Sequence, residues 1–260
     1  MNDHGIWLYA VTARADRPLV PGVAGEPVRL VEAAGLTAVV GDVPLASFGE
    51  EALYRNLEDL DWLAGVARAH DAVVATVPGA GPVVPVRLAT VYRDDDGVRA
   101  MLERRAADCH RSLDRVTGRT EWGVKVFAAP AMESTGESTV ESTGGPAGPS
   151  RGGAGTAYLA RRRAALVWRE RHEQRAAEQA ESVRHRLAQL AAGARRHPPQ
   201  SRTLTGDNGR MIGNLAYLVD DDRGTAFTEA VTACDQEHDA IRVELTGPWP
   251  PYSFAALEEP

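Results

Sequence analysis

The chain has 260 residues, of which 43% are hydrophobic, and a net charge of −7. This is enough apolar material for one large domain or two small ones, and the acidic balance argues against a nucleic-acid binder. No apolar run approaches the roughly 20 residues that span a bilayer, and no basic and apolar leader follows Met1. The two cysteines, Cys109 and Cys234, lie far apart in the sequence. We therefore expect a reduced, cytoplasmic protein with no nucleic-acid or membrane partner.

The first 129 residues predict an N-terminal α+β domain around a small sheet. Apolar and valine-rich runs indicate strands, and apolar residues spaced three and four apart indicate helices. In chain order, the predicted elements are a strand over 5–11, hairpin strands over 28–32 and 36–42, a helix over 51–77, a short strand over 83–88, a helix over 95–117 and a strand over 122–127. Pro85 favours an edge or bulged position for the short strand.

Residues 130–156 interrupt this pattern. Glu-Ser-Thr occurs three times at a spacing of four residues, and a stretch rich in glycine and proline follows. Such a composition buries almost no apolar surface, so it predicts a flexible linker or a disordered insert. Its glycines do not form a phosphate-binding loop, because no strand precedes them and no Gly-Lys-Ser/Thr follows.

Residues 157–260 predict one long charged helix followed by a second α+β domain. The helix is expected over 157–195, with an apolar seam in steps of four and three, formed by Ala176, Ala180, Val183, Leu187, Leu190 and Ala194. This seam either packs on the rest of the chain or contacts a partner helix. Beyond the helix, the pattern predicts a weak strand over 201–205, a strand over 211–219, a helix ending near 238 and a strand over 241–245.

The sequence predicts no catalytic, cofactor-binding or metal-binding residue. The seven histidines lack metal spacing, and the acidic triplets at 94–96 and 220–222 lack the pattern of a calcium loop, so both triplets are expected to cap helices. His70 is expected to donate to Asp71 or to cap its helix. Arg87 is expected to be buried or half-buried and to need a carboxylate or carbonyl partner.

The end of the chain carries three prolines within four positions, at Pro248, Pro250 and Pro251. Because proline cannot donate to a sheet ladder, a strand is expected to stop here. The three nearby aromatic residues, Trp249, Tyr252 and Phe254, would then be held on a stiff, extended segment. They either lock the end of a domain or form a contact surface.

Several blocks of the sequence occur in the order and spacing of one family. They are His70–Val73, Val83–Tyr92, Glu121–Val126, Asn214–Val219 and Glu244–Phe254. Together they resemble the gas vesicle GvpL/GvpF family, with its Pro-Leu-Arg-Phe-Gly-Thr, Glu-Trp/Tyr-Gly-Val-Lys, Asn-x-x-Tyr-Leu-Val and Gly-Pro-Trp-Pro-Pro-Tyr-x-Phe motifs. Leu88-Ala89 departs from that pattern, since the family usually has Phe-Gly there.

The resemblance implies two α+β domains of ferredoxin-like character, joined here by a disordered linker and a long helix. It implies no catalytic activity and no cofactor. The expected role is that of an accessory protein in forming gas vesicles, the gas-filled, protein-walled organelles that give buoyancy. The expected partners are the hydrophobic vesicle shell protein and other accessory proteins, and the expected location is the gas vesicle.

The residues expected to contact a partner are Pro85, Arg87, Trp249, Tyr252 and Phe254. Among the aromatic residues we favour a lock for Trp249 and a contact role for Tyr252 and Phe254. Two other functions stay open from the sequence. One is an enzyme or a small-ligand sensor, with a pocket around Arg87, His70 and Lys125. The other is a coiled-coil adaptor that acts through residues 176–194.

Overall fold

The computed structural model describes residues 3–16, 20–77, 81–130, 153–199 and 209–255. Its strands are β1 (His4–Thr12), β2 (Arg29–Ala33), β3 (Leu36–Pro44), β4 (Val83–Pro85), β5 (Val91–Tyr92), β6 (Arg119–Ala128), β7 (Gly193–Arg196), β8 (Met211–Asp220) and β9 (Ile241–Trp249). Its helices are α1 (Leu45–Phe48), α2 (Glu50–Asn56), α3 (Leu60–Ala75), α4 (Asp95–Val116), α5 (Gly153–Ala188) and α6 (Gly224–Glu237). This arrangement of helices and antiparallel sheets confirms the predicted α+β class.

The first sheet has the strand order β2-β3-β1-β4, and β5 also pairs with β1. The predicted hairpin is confirmed by the pairing of β2 with β3 from Ala33↔Leu36 onward. Its two-residue turn places Ala34 and Gly35 at φ 52° and 70°, which is the left-handed geometry that matches strand twist in tight hairpins. Pro85 ends β4 at the sheet edge, as predicted.

The second sheet has the order β7-β8-β6-β9 and is antiparallel throughout. β6 was expected in the first sheet, and that expectation is wrong, because β6 is a central strand of the second sheet. Its pairing with β8 extends from Arg119↔Asp220 to Phe127↔Met211. The alternation of apolar and polar residues along a strand indicates that one face of the strand is buried. It does not identify the strand's pairing partner, which depends on contacts with residues far away in the sequence.

Two helix boundaries differ from the sequence expectation. The single helix expected over 51–77 is divided into α2 and α3, because the Asp59 side chain accepts hydrogen bonds from the backbone N–H groups of Asp61 and Trp62 and starts a new helix. The helix expected to reach residue 195 ends at Ala188, and β7 pairs with β8 instead. The strand expected over 201–205 and most of the expected linker, at 131–152, lie outside the described residues.

The elements stack in five layers. Helices α1–α3 cover the outer face of the first sheet, α4 lies between the two sheets, and α5 and α6 cover the outer face of the second sheet. The inner layer joins Leu8 and Val40 of the first sheet to Leu102 of α4 and Leu218 of β8. Full burial of one such leucine contributes about 2 kcal/mol to stability. In the described ranges, no helix is both long and apolar enough to cross a bilayer.

The two acidic triplets have different roles. Asp94 caps α4, as expected, because its carboxylate accepts a hydrogen bond of 2.8 Å from the Gly97 N–H. The expected cap at 220–222 is not formed by the Asp220 side chain, which instead pairs with Arg119 at 2.8 Å. Asp221 accepts from the Thr120 hydroxyl at 2.7 Å. The second triplet therefore ties the start of β6 to the end of β8.

Ala89 generates the first testable prediction. It lies at φ 65°, a left-handed conformation that disfavours any residue with a Cβ, and it stands where the resembling family usually has glycine. We expect Ala89→Gly to raise the free energy of unfolding by about 1 kcal/mol, measured by urea denaturation. As a control, Ala107→Gly on the exposed face of α4 should lower it by about 1 kcal/mol. Equal effects of both substitutions would contradict the expectation.

Candidate functional site

The C-terminal segment, Gly247–Ala255, continues from β9 and crosses from the second sheet to the first half of the molecule. β9 passes Pro248 and ends at Trp249, beyond the predicted strand end at residue 245 but within the proline-rich stretch where a strand was expected to stop. The strand tolerates Pro248 because β9 is an edge strand, where a missing N–H costs no ladder bond. Gly247 and Pro248 together oppose Trp122, between the pairs Glu121↔Trp249 and Gly123↔Thr246.

Glycine is required at position 247. Its φ is 112°, and a Cβ added there would lie 3.2 Å from the carbonyl oxygen of Glu121. Residues with a side chain rarely adopt this backbone conformation. The bulge at this position turns the chain out of the sheet and aims the following residues at α3 and β6.

A buried carboxylate anchors the segment. Glu121 is only 7% exposed, and its two oxygens accept from the Ser253 backbone N–H at 2.8 Å and the Ser253 hydroxyl at 2.6 Å. Nε2 of His197 donates to the same hydroxyl oxygen, 3.0 Å away. Burial raises the pKa of Glu121, and the bonds from Ser253 oppose that rise only in part.

This trio is not a nucleophilic triad. In such a triad, the acid orients the histidine and the histidine accepts the proton of the serine. Here the Ser253 hydroxyl donates its hydrogen bond to the acid, Glu121, and His197 donates to the Ser253 oxygen instead of accepting from it. The arrangement therefore holds the segment in place instead of activating Ser253 for attack.

Tyr252 ties the segment to the first half of the molecule. Its hydroxyl donates to Oδ1 of Asp71 at 2.6 Å, and its ring lies 6.3 Å from the ring of His70. Burial, together with the neighbouring Asp71 carboxylate, raises the pKa of the Tyr252 phenol. Tyr252 thus acts as a cross-link between the end of the chain and α3.

His70 is a structural residue of the core. Its Nδ1 accepts from the indole N–H of Trp7 at 3.0 Å, so its Nε2 carries the proton and donates to the carbonyl of Val86 at 3.1 Å. Burial lowers the pKa of His70. The expected bond to Asp71 is therefore absent, because both ring nitrogens are used by residues on the first sheet and the loop after β4.

The other predicted site residues divide into buried and exposed positions. Phe254 is 5% exposed and packs in the inner layer, and Pro85 is also buried. Arg87 is exposed, so the expectation of a buried arginine is wrong. Trp249 is 48% exposed. The favoured assignment of a lock to Trp249 and of contacts to Phe254 is thus opposite to the observed exposure, although partner contact at all five positions stays a prediction.

Trp249 stands at the rim of a groove with a volume of about 460 Å³. Trp249, Pro250 and Pro251 form one wall. The remaining lining consists of Val74, Gly81–Val83, Val116–Thr120 and Asp221. The groove thus combines three valines, three prolines and Trp249 with a smaller polar part. That part consists of Arg119, which is held by Asp220, and of Thr117, Thr120 and Asp221. This composition suits an apolar chain segment better than a small polar metabolite.

The structure does not favour either alternative site from the sequence, the small-ligand pocket or the coiled-coil seam. Arg87, His70 and Lys125 do not line the groove, and Lys125 lies on β6 of the second sheet, whereas His70 is a buried residue of α3. The apolar seam of α5 is covered within the chain, since Ala176, Val183 and Leu187 are buried against the second sheet and α6. In the described ranges, no three metal-ligating side chains come together.

Sequence reasoning missed the residues that hold the segment, namely Asp71, Glu121, His197 and Ser253. The signal available for Glu121 was its place at the start of a strand otherwise rich in apolar residues. A charged residue at such a position predicts a specific partner. Nothing in the spacing identified that partner, which lies 132 residues away.

The buried charge of Glu121 generates a prediction on pH dependence. The folded pKa lies above that of the unfolded chain, so the wild-type protein should lose stability as pH rises through the folded pKa. Glu121→Gln keeps the shape and does not titrate. The free energy of unfolding of the Gln variant, minus that of wild type, should therefore increase as pH is raised from 4 to 8, measured by urea denaturation. Glu103→Gln, at an exposed site on α4, is the matched control. A pH-independent difference at residue 121 would refute this account.

The comparisons with known proteins agree over nearly the whole chain. The family model described as "Gas vesicle synthesis protein GvpL/GvpF" matches residues 5–256. Gas vesicle protein L of Streptomyces sp. (strain CB03234) is 43% identical, with 97% of this chain and 93% of that protein covered. Gas vesicle protein L1 of Halobacterium salinarum is 26% identical, with 97% and 90% covered.

A solved structure supports the fold. The crystal structure of the gas vesicle protein GvpF from Anabaena sp. PCC7120 superposes with a TM-score of 0.64 at 20% sequence identity, and 98% of each chain is covered. The GvpF structure from Microcystis aeruginosa gives a TM-score of 0.61 at 19% identity, with 97% of this chain and 99% of that chain covered. The matched family model and the close relative in Streptomyces together carry the assignment. This chain belongs to the GvpL/GvpF family of gas vesicle synthesis proteins.

Proposed function

We propose that this protein is a non-enzymatic accessory factor that assists assembly of the hydrophobic gas vesicle shell through protein–protein contacts made in the groove beside Trp249. The observation that carries the proposal is the half-exposed indole of Trp249 on a segment fixed at both sides. On the N-terminal side, the Thr246 hydroxyl accepts a hydrogen bond of 3.3 Å from the Trp249 indole N–H. On the C-terminal side, Tyr252 is bonded to Asp71 and Ser253 is bonded to Glu121. The family assignment supplies the gas vesicle context.

The groove suits a partner that must be held briefly and released. A shell subunit that is very hydrophobic needs cover for its apolar surface before it joins the wall, because exposed apolar patches cause aggregation. Valine, proline and tryptophan surfaces provide such cover without long flexible side chains, so little rotamer entropy is lost on contact. The groove is lined by fewer residues than the roughly 20–30 a side of a standard stable interface, so the affinity stays modest and the partner can be released to the growing wall.

A non-catalytic role is supported by the chemistry of the polar groups near the segment. Both nitrogens of His70 are occupied, the hydroxyl of Ser253 is bonded to Glu121, and the phenol of Tyr252 is bonded to Asp71. Each group thus has a partner inside the protein. The competing proposal, a small-ligand site around Arg87, His70 and Lys125, is disfavoured because the three residues do not line the groove and lie on separate elements, namely the loop after β4, α3 and β6.

Trp249→Ala tests the proposal in a binding titration with the vesicle shell protein. Burial of the exposed part of the indole is worth about 2 kcal/mol, so the dissociation constant should rise about 30-fold. His110→Ala is the control, because His110 is exposed on α4 and lies outside the groove. If the folded Trp249→Ala variant bound the shell protein as tightly as wild type does, the groove would not be the contact surface.

A further inference from the structure

Large apolar side chains are exposed at only a few places in the described part of the chain. Nine are exposed, and one of them is Trp249 of the groove. Five lie on the first half of α5, at Tyr158, Leu159, Leu166, Val167 and Trp168. The other three lie on α2 and the start of α3, at Tyr54, Leu57 and Leu60. Eight of the nine are thus concentrated on two short helical surfaces.

The first surface, called here the basic face, comprises residues 158–171 of α5. Every residue in it is exposed, whereas α5 enters the core at Ala176. Its base is fixed, since Nε2 of His172 lies 3.1 Å from the carbonyl of Ala129 and the ring of Trp168 stacks on His172 at 5.5 Å. At 1.5 Å per residue, the basic face extends roughly 20 Å as a continuation of a packed helix.

The charge of the basic face differs from that of the chain as a whole. Residues 158–171 contain five arginines and one acidic residue, Glu170, although the whole protein has a net charge of −7. Three of the arginines are consecutive, at 161–163. Like charges within one or two turns of a helix repel each other, and an anionic partner surface relieves that repulsion.

The second surface, called here the acidic face, comprises residues 50–61 and has the opposite charge pattern. It contains five acidic residues, Glu50, Glu51, Glu58, Asp59 and Asp61, against one arginine, Arg55. All six side chains are exposed. The cap that Asp59 forms on α3 fixes the corner between the two helices, so Leu57 and Leu60 are presented from a defined backbone.

The two faces match each other in charge but do not meet within the described chain, since every residue of the basic face is exposed. α5 packs on β6, β8, β9 and α6, in the last layer of the stack. α2 and α3 lie on the outer face of the first sheet, in the first layer. A contact between the two faces therefore joins different copies of the protein.

We propose that the basic face of one copy docks on the acidic face of a second copy. The occupant is a second copy because both halves of a complementary pair, in charge and in exposed apolar side chains, are present on this chain. The contact is heterologous, so a docked pair keeps one acidic face free on the first copy and one basic face free on the second, each open to a further neighbour. Copies therefore add head to tail into a ring or an open row, and salt weakens the association because the charged rim is exposed.

Sedimentation velocity of the full-length protein tests the proposal. Wild type should show a mass that rises with protein concentration at 50 mM salt and falls toward the monomer at 500 mM salt. Two variants reverse one face each. The first carries Arg162→Glu, Arg163→Glu and Arg169→Glu, and the second carries Glu50→Arg, Glu51→Arg and Glu58→Arg. Each variant alone should associate at least about ten-fold more weakly than wild type.

Mixing the two variants gives the decisive result. The first variant has two acidic faces and the second has two basic faces, so the equimolar mixture should recover association that neither shows alone. The control carries Arg93→Glu, Arg104→Glu and Arg115→Glu, at exposed positions outside both faces, so its charge change equals that of the first variant and it should associate like wild type. A wild type that stays monomeric at low salt, or a mixture that fails to recover association, overturns the proposal.

Discussion

The hydrogen bonds between Glu121 and Ser253 are the constraint on which the rest of the structure depends. They place a carboxylate with little access to water at the point where the second sheet, the C-terminal segment and the inner layer meet. They fix the position at which the chain leaves β9, so that Phe254 enters the core beside α4 and the groove wall that follows Trp249 is held in place. A buried charge with two short hydrogen bonds also has few alternative partners, so it fixes one arrangement of the segment.

Much of the fold could be predicted from the sequence because its signals are local. The β2–β3 hairpin, the Asp94 cap and the apolar faces of α4 and α6 follow from spacing and turn chemistry within a few residues. The sheet to which β6 belongs could not be predicted, since the apolar side chains of β6 could pack equally well in the core of either sheet. Neither could the anchor of Ser253, because the paired residues are separated by more than a hundred positions.

The candidate site illustrates the same limit in its aromatic residues. The prolines predicted that these residues lie on a stiff segment. They did not predict which side chain is buried, because the burial of Phe254 depends on Gly193, whose missing side chain leaves room for the phenyl ring. A Cβ at residue 193 would lie 3.1 Å from that ring. The gas vesicle-related role follows from the family, whereas the placement of the exposed apolar side chains divides the surface into one groove and two complementary faces.

The central position of β6 has a consequence for any attempt to divide the protein. A fragment that ends at residue 130 would carry β6 with both edges unpaired, and a fragment that begins at 153 would lack the strand between β8 and β9. Exposed strand edges recruit other strands. The two fragments are therefore complementary halves of one folding unit, joined by donation of a strand, and each is suited to reassemble with the other when they are produced together.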